Sequence, residues 1–327
     1  MESYDGTDKL RLAEVSDPNP GPGEVVLEMV FASLNPADAW LAAGQYPAKP
    51  QLPHVLGRDG VGKVVAVGTQ VTGVRVGDMR GVLRGKTGVE EWGTLAEKTA
   101  VGADRLVPVP EGWSNEETAA APLVFLTAWQ ALTQWSEPAA PPSAGSVLLV
   151  TGASGGVGTA ALMLGKSMGL TVVALSRSAP KRKRLQELGA DFVFDPDAAN
   201  LQKEIHAAVG QRRVDLVIDN VAGALFNTLI ATLGYGGRIS VVGRSDGPVP
   251  SFNTGTLFFR RNRIGGVAVA DYSADQALAT WHQIVQHLDD SHQRPVIDNV
   301  FSFADAKQAF ARLRGGPMGK VLVKISA

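Results

Sequence analysis

Val147–Gly158 reads VLLVTGASGGVG: four apolar residues with strand character run into a glycine turn and on into the helix-like Thr159–Gly169. The last six residues have the form A-x-G-x-x-G, in which Gly155 lets the backbone approach a pyrophosphate and Gly158 lets the helix pack close to the strand. Ala153 stands in place of the first glycine. A second strand pattern, Thr171–Leu175, follows at the spacing of a βαβ unit. A glycine triplet alone is weak evidence. Strand, turn, helix and strand in this order predict a dinucleotide-binding unit whose turn (Ala153, Ser154, Gly155, Gly156, Val157, Gly158) holds the phosphates.

The end of the second strand decides which dinucleotide. NAD recognition there uses a carboxylate on the ribose 2′-hydroxyl, whereas this chain reads Ala174-Leu175-Ser176-Arg177-Ser178-Ala179-Pro180-Lys181. Ser176 can donate a hydrogen bond, and Arg177 and Lys181 can neutralise a 2′-phosphate, so NADPH is expected over NADH. The run Lys181–Arg184 equally suits the solvated start of a helix ending at Leu188-Gly189. That is the role expected of Arg182, Lys183 and Arg184.

A chain of 327 residues has room for two domains. Its net charge of −1 gives no electrostatic footprint for nucleic acid or an anionic membrane, and neither partner is expected. There is no cysteine, which removes disulfides, thiolate zinc ligands and cysteine nucleophiles together. The opening MESYDGTDKL lacks the basic-then-apolar order of a targeting segment, and no apolar run approaches the ~20 residues of a membrane span. A soluble, cytoplasmic protein is expected.

Up to about Pro122 the chain is rich in glycine and proline, with short Val-rich segments at Gly23–Ala32, Gly60–Val67 and Ala100–Val109, the signature of a mostly β domain. Strand patterns at Val147–Val150, Thr171–Leu175, Phe192–Phe194, Val214–Asp219 and Arg238–Gly243 then alternate with helix-period stretches at Lys181–Leu188, Leu201–Val209 and Leu225–Leu233. This alternation predicts a doubly wound parallel sheet. A strand candidate Ile264–Ala270, an amphipathic helix Ala274–Leu288, the segment Pro295–Val300, a helix Phe303–Leu313 and a strand Val321–Ile325 follow, and the tail is expected to complete the first domain.

Asn35-Pro36-Ala37-Asp38, Gly44-Gln45-Tyr46-Pro47, Leu56-Gly57-Arg58-Asp59-Gly60-Val61-Gly62, Val74–Asp78, Pro122–Gln130, Gly152–Gly158, Glu187–Asp191 and Asp215–Gly223 form an ordered series along nearly the whole chain. In this series the chain resembles the medium-chain dehydrogenase/reductase superfamily, in its zinc-independent, quinone-oxidoreductase-like branch. The resemblance implies an α/β protein: a GroES-like mostly-β catalytic domain from residues 1–124 and 267–327, a Rossmann NADP(H)-binding domain at 125–266, and an active-site cleft at their junction.

Zinc-dependent members use a cysteine near Asn35 and a histidine–glutamate pair in the Gly57–Asp59 segment. This chain has Asn35, Arg58 and Asp59 there, so no zinc site is expected. His282, His287 and His292 are spaced by five residues, a rotation of about 140° per step on a helix, and are expected on a polar face. His54 is expected to be structural or at the surface. Without a metal to polarise an oxygen, alcohol oxidation is a poor expectation. Quinones and α,β-unsaturated carbonyls are electron-poor already. Reducing them needs hydride from nicotinamide C4 and a hydrogen-bond donor for the charge that develops on oxygen.

By the resemblance, Tyr46 matches the tyrosine of a G-x-Y-P segment lining the active site, and its phenol can donate a proton to an incipient enolate. Packing in a proline-bounded loop is the alternative. Asn35 can position substrate or nicotinamide through its amide, or serve as a turn residue before proline. Asp38 reads as a helix cap or ion-pair partner. Thr127 can bond the carboxamide or its own helix. Asn220 and Val242-Gly243 lie after apolar strands, where cofactor contacts belong. Trp40 stands where quinone reductases often carry a second tyrosine and lines the substrate pocket, and Arg58 either contacts an anionic substrate group, pairs with Asp59 or faces away.

Three functions fit: an NADPH-dependent reductase of a small-molecule quinone or enone, a 2-enoyl-thioester reductase in which Arg260, Arg261 and Arg263 either meet carrier phosphates or form a solvated loop before Ile264–Ala270, and a cofactor-binding protein without turnover. In related reductases an edge strand of the nucleotide domain pairs with its own copy. A homodimer through the strand near Ile264–Ala270 is therefore expected.

Overall fold

The computed structural model describes residues 1–83, 85–210, 213–248 and 251–326. The amino-terminal part opens with β1 (Glu24–Leu34), helix α1 (Pro36–Ala42) and strands β2 (Asp59–Val67), β3 (Met79–Val82), β4 (Lys98–Gly102) and β5 (Leu106–Pro108). β1 is the hub, pairing antiparallel with β2 and with β4. The expected single strand Ala100–Val109 is interrupted by a 3-10 turn at Ala103–Arg105 because its halves have different partners, β4 joining β1 and β5 joining β3. Helix α2 (Asn115–Ala120) starts on a capping box: Glu117 N–H donates to Ser114 Oγ at 3.1 Å and Ser114 N–H to Glu117 Oε2 at 2.8 Å. Helix α3 (Pro122–Thr133) follows.

The stretch VLLVTGASGGVG becomes β6 (Val147–Val150), a turn and the start of α4 (Gly156–Ser167). Then come β7 (Thr171–Leu175), α5 (Ala179–Glu187), β8 (Phe192–Phe194), α6 (Leu201–Val209), β9 (Val214–Asp219), α7 (Leu225–Thr232), β10 (Leu233–Val241), α8 (Gly255–Arg260) and β11 (Arg263–Gly266). The six strands lie in the order β11-β10-β9-β6-β7-β8 and all pair in parallel. The order reverses between β6 and β9, and the crevice beyond the carboxyl ends of these two strands is where such sheets take ligands. Val147, Leu149, Val173, Leu175 and Val217 of the sheet pack with Ile205, Phe226 and Leu229 of the helices, which explains strands that read as unbroken apolar runs. β11 is shorter than the expected Ile264–Ala270. β10 ends at Val241, the partner of Gly266, and Val269–Asp271 turns into a 3-10 helix once no ladder remains.

Helix α9 (Ala274–Asp290) buries Ala277, Trp281, Ile284 and Leu288, a helical stripe. Strand β12 (Ile297–Ser302), helix α10 (Ala306–Arg314) and strand β13 (Lys320–Lys324) close the chain. β13 pairs antiparallel with β1 and parallel with β12, so the carboxyl-terminal strands extend the amino-terminal sheet to β12-β13-β1-β2-β3-β5. The chain divides into one unit of Met1–Leu123, Tyr272–Trp281 and Arg294–Ala327 and a second of Val124–Asp271 and His282–Gln293. The 125–266 boundaries expected from the sequence thus meet a second unit that also holds the carboxyl-terminal half of α9. Among the described residues, no helix is long and apolar enough to cross a membrane.

Candidate active site

In the second unit the turn between β6 and α4 divides its glycines by task. Gly152 has φ 54°, the left-handed conformation a glycine accepts without strain, so the tight turn falls here and not at Ala153. Ala153 is buried, and its N–H is committed to the Leu175 carbonyl at 3.1 Å, which makes it a packing residue of the turn. A Cβ on Gly158 would lie 2.4 Å from the Gly152 carbonyl oxygen, so helix and turn approach too closely for any side chain. Gly155 differs. A Cβ there would meet only the Gly152 carbonyl oxygen, at an ordinary 3.4 Å. Neither conformation nor packing within the chain asks for glycine at 155, whereas a pyrophosphate passing over the backbone does. With the first N–H groups of α4 beyond it, at Gly156, Val157 and Gly158, the turn suits a dinucleotide phosphate.

The neighbouring loop is built on Asp219, which the sequence reading did not single out. Its buried Oδ1 accepts from Thr151 Oγ1 at 2.8 Å and from the N–H groups of Val221 and Ala222 at 3.0 and 3.1 Å. Ala222 is held at φ 58°, a strained setting for a residue with a Cβ. Asn220 is locked as well, its Nδ2 donating to the Thr151 carbonyl at 2.8 Å. The N–H groups of Val242 and Gly243 donate to the Asp219 carbonyl at 2.8 and 3.2 Å, so those donors are committed inside the protein. The available signal was a carboxylate ending the apolar run VDLVID.

After β7, Ser176 is buried and Arg177 exposed. Arg177 Nε lies 3.2 Å from Asp197 Oδ2 and its Nη2 3.8 Å from Asp246 Oδ1. Arg182, expected to be solvated, instead ties the loop down: its Nη1 donates to the carbonyls of Ser176 and Arg177 at 2.8 and 2.9 Å and to Asp195 Oδ2 at 2.9 Å. Lys181 is half-buried at the first turns of α5, and Thr127 is half-buried on α3.

In the first unit, β1, β2 and β13 bring Asn35, Asp59 and Lys320 into one buried cluster. Lys320 Nζ donates to Asn35 Oδ1 at 2.6 Å and to Asp59 Oδ2 at 3.1 Å, and Asn35 Nδ2 donates to Asp59 Oδ2 at 2.8 Å. Asp59 Oδ1 accepts from the Leu123 N–H at 3.1 Å, at the start of α3. The Asn35 amide therefore faces internal partners, and its contribution is to hold the end of β1. Asp38 Oδ2 accepts from the Asn35 N–H at 2.8 Å, capping α1. Burial pushes the Asp38 carboxyl up to about 6, against the pull of Arg58, the Asn35 N–H and Lys320.

Arg58 neither pairs with Asp59 nor faces away from its neighbours: its Nη1 donates to Tyr46 Oη at 3.2 Å. Tyr46 follows a turn in which Gly44 has φ 65° and the Gln45 N–H bonds the Trp40 carbonyl at 2.8 Å. Its half-buried ring packs against the cluster of Leu34, Leu41 and Phe310. Trp40 is half-buried on α1. Tyr46, Arg58 and the Asn35 cluster thus share one unit, while Thr127 and the cofactor candidates lie in the other.

These donors do not suit a metal. The oxygens of Asn35 and Asp59 are taken up by an ammonium group and main-chain or amide N–H groups, and among the described residues no group of three His, Cys, Asp or Glu side chains is placed to hold an ion. His54 is buried, which pushes its imidazole down. His282 and His292 are exposed, but His287 is not a polar-face residue: its ring lies 5.5 Å from that of Trp129 and its Nδ1 3.2 Å from Ser167 Oγ. Of the three arginines around the start of β11, Arg260 donates to the Leu233 carbonyl at 2.8 Å, Arg261 closes α8 at φ 53° and Arg263, the first residue of the strand, lies 5.6 Å from the centre of the Trp135 ring.

The model of the alcohol dehydrogenase GroES-like domain matches residues 21–111, and that of the zinc-binding dehydrogenase matches residues 156–289. A component of the phenolphthiocerol/phthiocerol polyketide synthase of Mycobacterium tuberculosis is 29% identical over 323 residues, 97% of this chain, which spans only 14% of that much longer protein. A quinone oxidoreductase of Sus scrofa is 28% identical over 98% of this chain and 95% of its own length. Among solved structures, an NAD-dependent alcohol dehydrogenase superposes with a TM-score of 0.91 at 29% identity, covering 100% of this chain and 98% of its own. A mycobacterial protein solved in complex with NADPH has a TM-score of 0.87 at 25% identity over 98% of this chain and 97% of its own. Two matching domains in the same order, relatives along the full length and a shared two-domain fold agree, and the chain belongs to the medium-chain dehydrogenase/reductase superfamily, in its zinc-independent, quinone-oxidoreductase-like branch.

Proposed function

We propose that this protein is an NADPH-dependent reductase of quinones or α,β-unsaturated carbonyls that works without a metal ion. The observation that carries the reading is the Lys320 ammonium on Asn35 Oδ1 and Asp59 Oδ2, at 2.6 and 3.1 Å, in the segments where zinc-dependent members hold their metal. With those oxygens engaged, nothing there acts as a Lewis acid, and the acceptor has to be electron-poor by itself. Bound NADPH supplies a hydride from nicotinamide C4. The chain contributes the open backbone at Gly155 and the α4 amides for the pyrophosphate, Arg177 with Ser176 and Lys181 for the 2′-phosphate, and the Tyr46 phenol as proton donor to the substrate oxygen.

A 2-enoyl thioester is the second substrate class, favoured by the match of almost the entire chain to a segment of a polyketide synthase. The same hydride and proton steps serve it. A cytoplasmic homodimer completes the reading: Ile264 on the edge strand β11 is 37% exposed, and Phe258 and Phe259 of the preceding helix are 67% and 78% exposed, a surface that a second copy would cover. Light scattering at micromolar concentration tests it, and a monomer overturns it.

Fluorescence titration with NADPH and NADH, followed by 1,4-benzoquinone, 2-hexenal and a 2-enoyl thioester added to the NADPH complex, tests the function. Tight NADPH binding with consumption by at least one acceptor is expected. Absence of NADPH preference would overturn the reading of Ser176, Arg177 and Lys181, and tight binding without consumption would overturn the reductase.

A further inference from the structure

We propose that Arg58 is a positioning residue for proton delivery: its guanidinium fixes the Tyr46 phenol with the hydrogen turned toward the substrate oxygen and stabilises the anion that proton transfer leaves. This rests on the reading of Tyr46 as the donor. A guanidinium has only N–H donors. In the 3.2 Å contact between Arg58 Nη1 and Tyr46 Oη the phenol oxygen is therefore the acceptor, and its own hydrogen has to point away from Arg58. A phenol without such a partner rotates between two in-plane positions and donates in only one of them. Arg58 Cζ also lies 5.6 Å from the centre of the Tyr46 ring, so the cation touches both the ring and its oxygen.

The surroundings direct the guanidinium to this task. Asp59 is engaged by Lys320. Asp38 Oδ2 is engaged by the Asn35 N–H, while Asp38 Oδ1 is buried without a hydrogen-bond partner and feels Arg58 only through its charge, so the hydrogen bond of the guanidinium goes to the phenol. Gly57 sets the backbone from which Arg58 projects: its φ is 104°, and a Cβ on it would lie 2.5 Å from Thr94 Oγ1. Tyr46 is held from the other side by the core beneath its ring.

For an enone the step balances in atoms and electrons. Hydride arriving at the β-carbon forms a C–H bond, and the π pair moves onto the carbonyl oxygen. That oxygen forms an O–H bond with the Tyr46 proton as the phenol O–H bond breaks, and the resulting phenolate, beside the Arg58 charge, is reprotonated by water. The substrate is reduced by two electrons and NADPH oxidised by two.

A double-mutant cycle on the full-length protein, read as turnover of 2-hexenal by the NADPH complex, tests the proposal. Tyr46→Phe is expected to lower kcat about a hundredfold and Arg58→Met about tenfold, with NADPH affinity unchanged in both. The double variant is expected to fall no lower than Tyr46→Phe, because Arg58 acts through the phenol. Arg58→Lys keeps the charge without the fork, loses less than the Met variant and serves as the second probe if the Met variant does not fold. Losses that multiply in the double variant overturn the proposal and leave Tyr46 as donor. A wild type inactive on quinone, enone and thioester alike overturns the reductase and the proposal together. A readout free of turnover is the 13C resonance of tyrosine Cζ: among the four tyrosines, the one lost in Tyr46→Phe is expected to move in Arg58→Met, and an unmoved resonance overturns the contact.

Discussion

Lys320 and Arg177 are both cations held by carboxylates, and they lie on opposite sides of the desolvation problem. The Lys320 side chain is 4% exposed and its partner Asp59 0%, whereas Arg177 is 62% exposed and its partners Asp197 and Asp246 are 67% and 45% exposed. Out of water, a charge is tolerable only when its counter-charge and its hydrogen bonds are all in place, and removing one partner strands the other. In water the same pair is worth about 0–1 kcal/mol and is readily exchanged for a better ligand. The buried pair therefore fixes the packing between β1, β2 and β13, and the exposed one leaves a cation that can exchange its partners in water.

The largest effect expected from this contrast is at Lys320. Lys320→Met leaves Asn35 Oδ1 without its donor and the buried Asp59 without its counter-charge, and should cost about 3–5 kcal/mol in urea unfolding. Adding Asp59→Asn, which removes the stranded charge while keeping an acceptor for the Leu123 N–H, should recover part of the loss. A Lys320→Met variant as stable as the wild type would break the comparison at its root.

Asp38 comes next. Its carboxyl is raised from 3.8 to about 6 in the fold, so the folded state binds the proton more tightly than the unfolded chain does. The stabilisation this gives is fully present below pH 3.8 and is lost as pH rises through about 6. Asp38→Asn keeps an acceptor for the Asn35 N–H and removes the titration. Its stability relative to wild type should rise by on the order of 3 kcal/mol between pH 3.5 and 7. Parallel stability curves for the two proteins over that range would mean that Asp38 titrates normally.

The glycines of the turn between β6 and α4 sharpen the contrast within a few residues. Gly158→Ala forces a Cβ to within 2.4 Å of the Gly152 carbonyl oxygen and should cost about 1–3 kcal/mol of stability. Gly155→Ala meets nothing closer than 3.4 Å and should leave the melting temperature nearly unchanged while weakening NADPH. If both variants lost stability equally, position 155 would belong to packing and not to the ligand.

These sites differ in how far the sequence discloses them. The βαβ unit was legible because its signals are local: an apolar run, a glycine turn and a helix within about twenty residues. The motif puts Ala153 in the slot of its first glycine, but spacing does not report φ, and the left-handed position is Gly152, one residue earlier. Lys320 was invisible, since its partner Asn35 is 285 residues away and only the pairing of β13 with β1 brings them together. Arg58 was legible as a cation in the right segment, but its choice of Tyr46 over the adjacent Asp59 depends on Lys320 having already claimed that carboxylate. Arg182 read as a surface charge because helix periodicity says nothing of a side chain that folds back over its own amino terminus to the Ser176 and Arg177 carbonyls.

The smallest expected effect is at Arg177, and it is the one with a sign to test. A 2′-phosphate arriving at Arg177 would replace two exposed carboxylates, one 3.2 Å and one 3.8 Å from the guanidinium, and would be repelled by both. Arg177→Ala should reduce the ratio of NADPH to NADH affinity by about tenfold, the worth of one charge-assisted hydrogen bond. Asp246→Asn removes a competitor and should raise NADPH affinity a few-fold without helping NADH, more at low salt than at high because the site is open to counter-ions. The two substitutions thus move the same ratio in opposite directions, and titration of each variant with both cofactors reads it directly. If Asp246→Asn weakened NADPH instead, the carboxylate would be orienting Arg177 for the phosphate, and the exposed pair would share the shape-fixing role of the buried one.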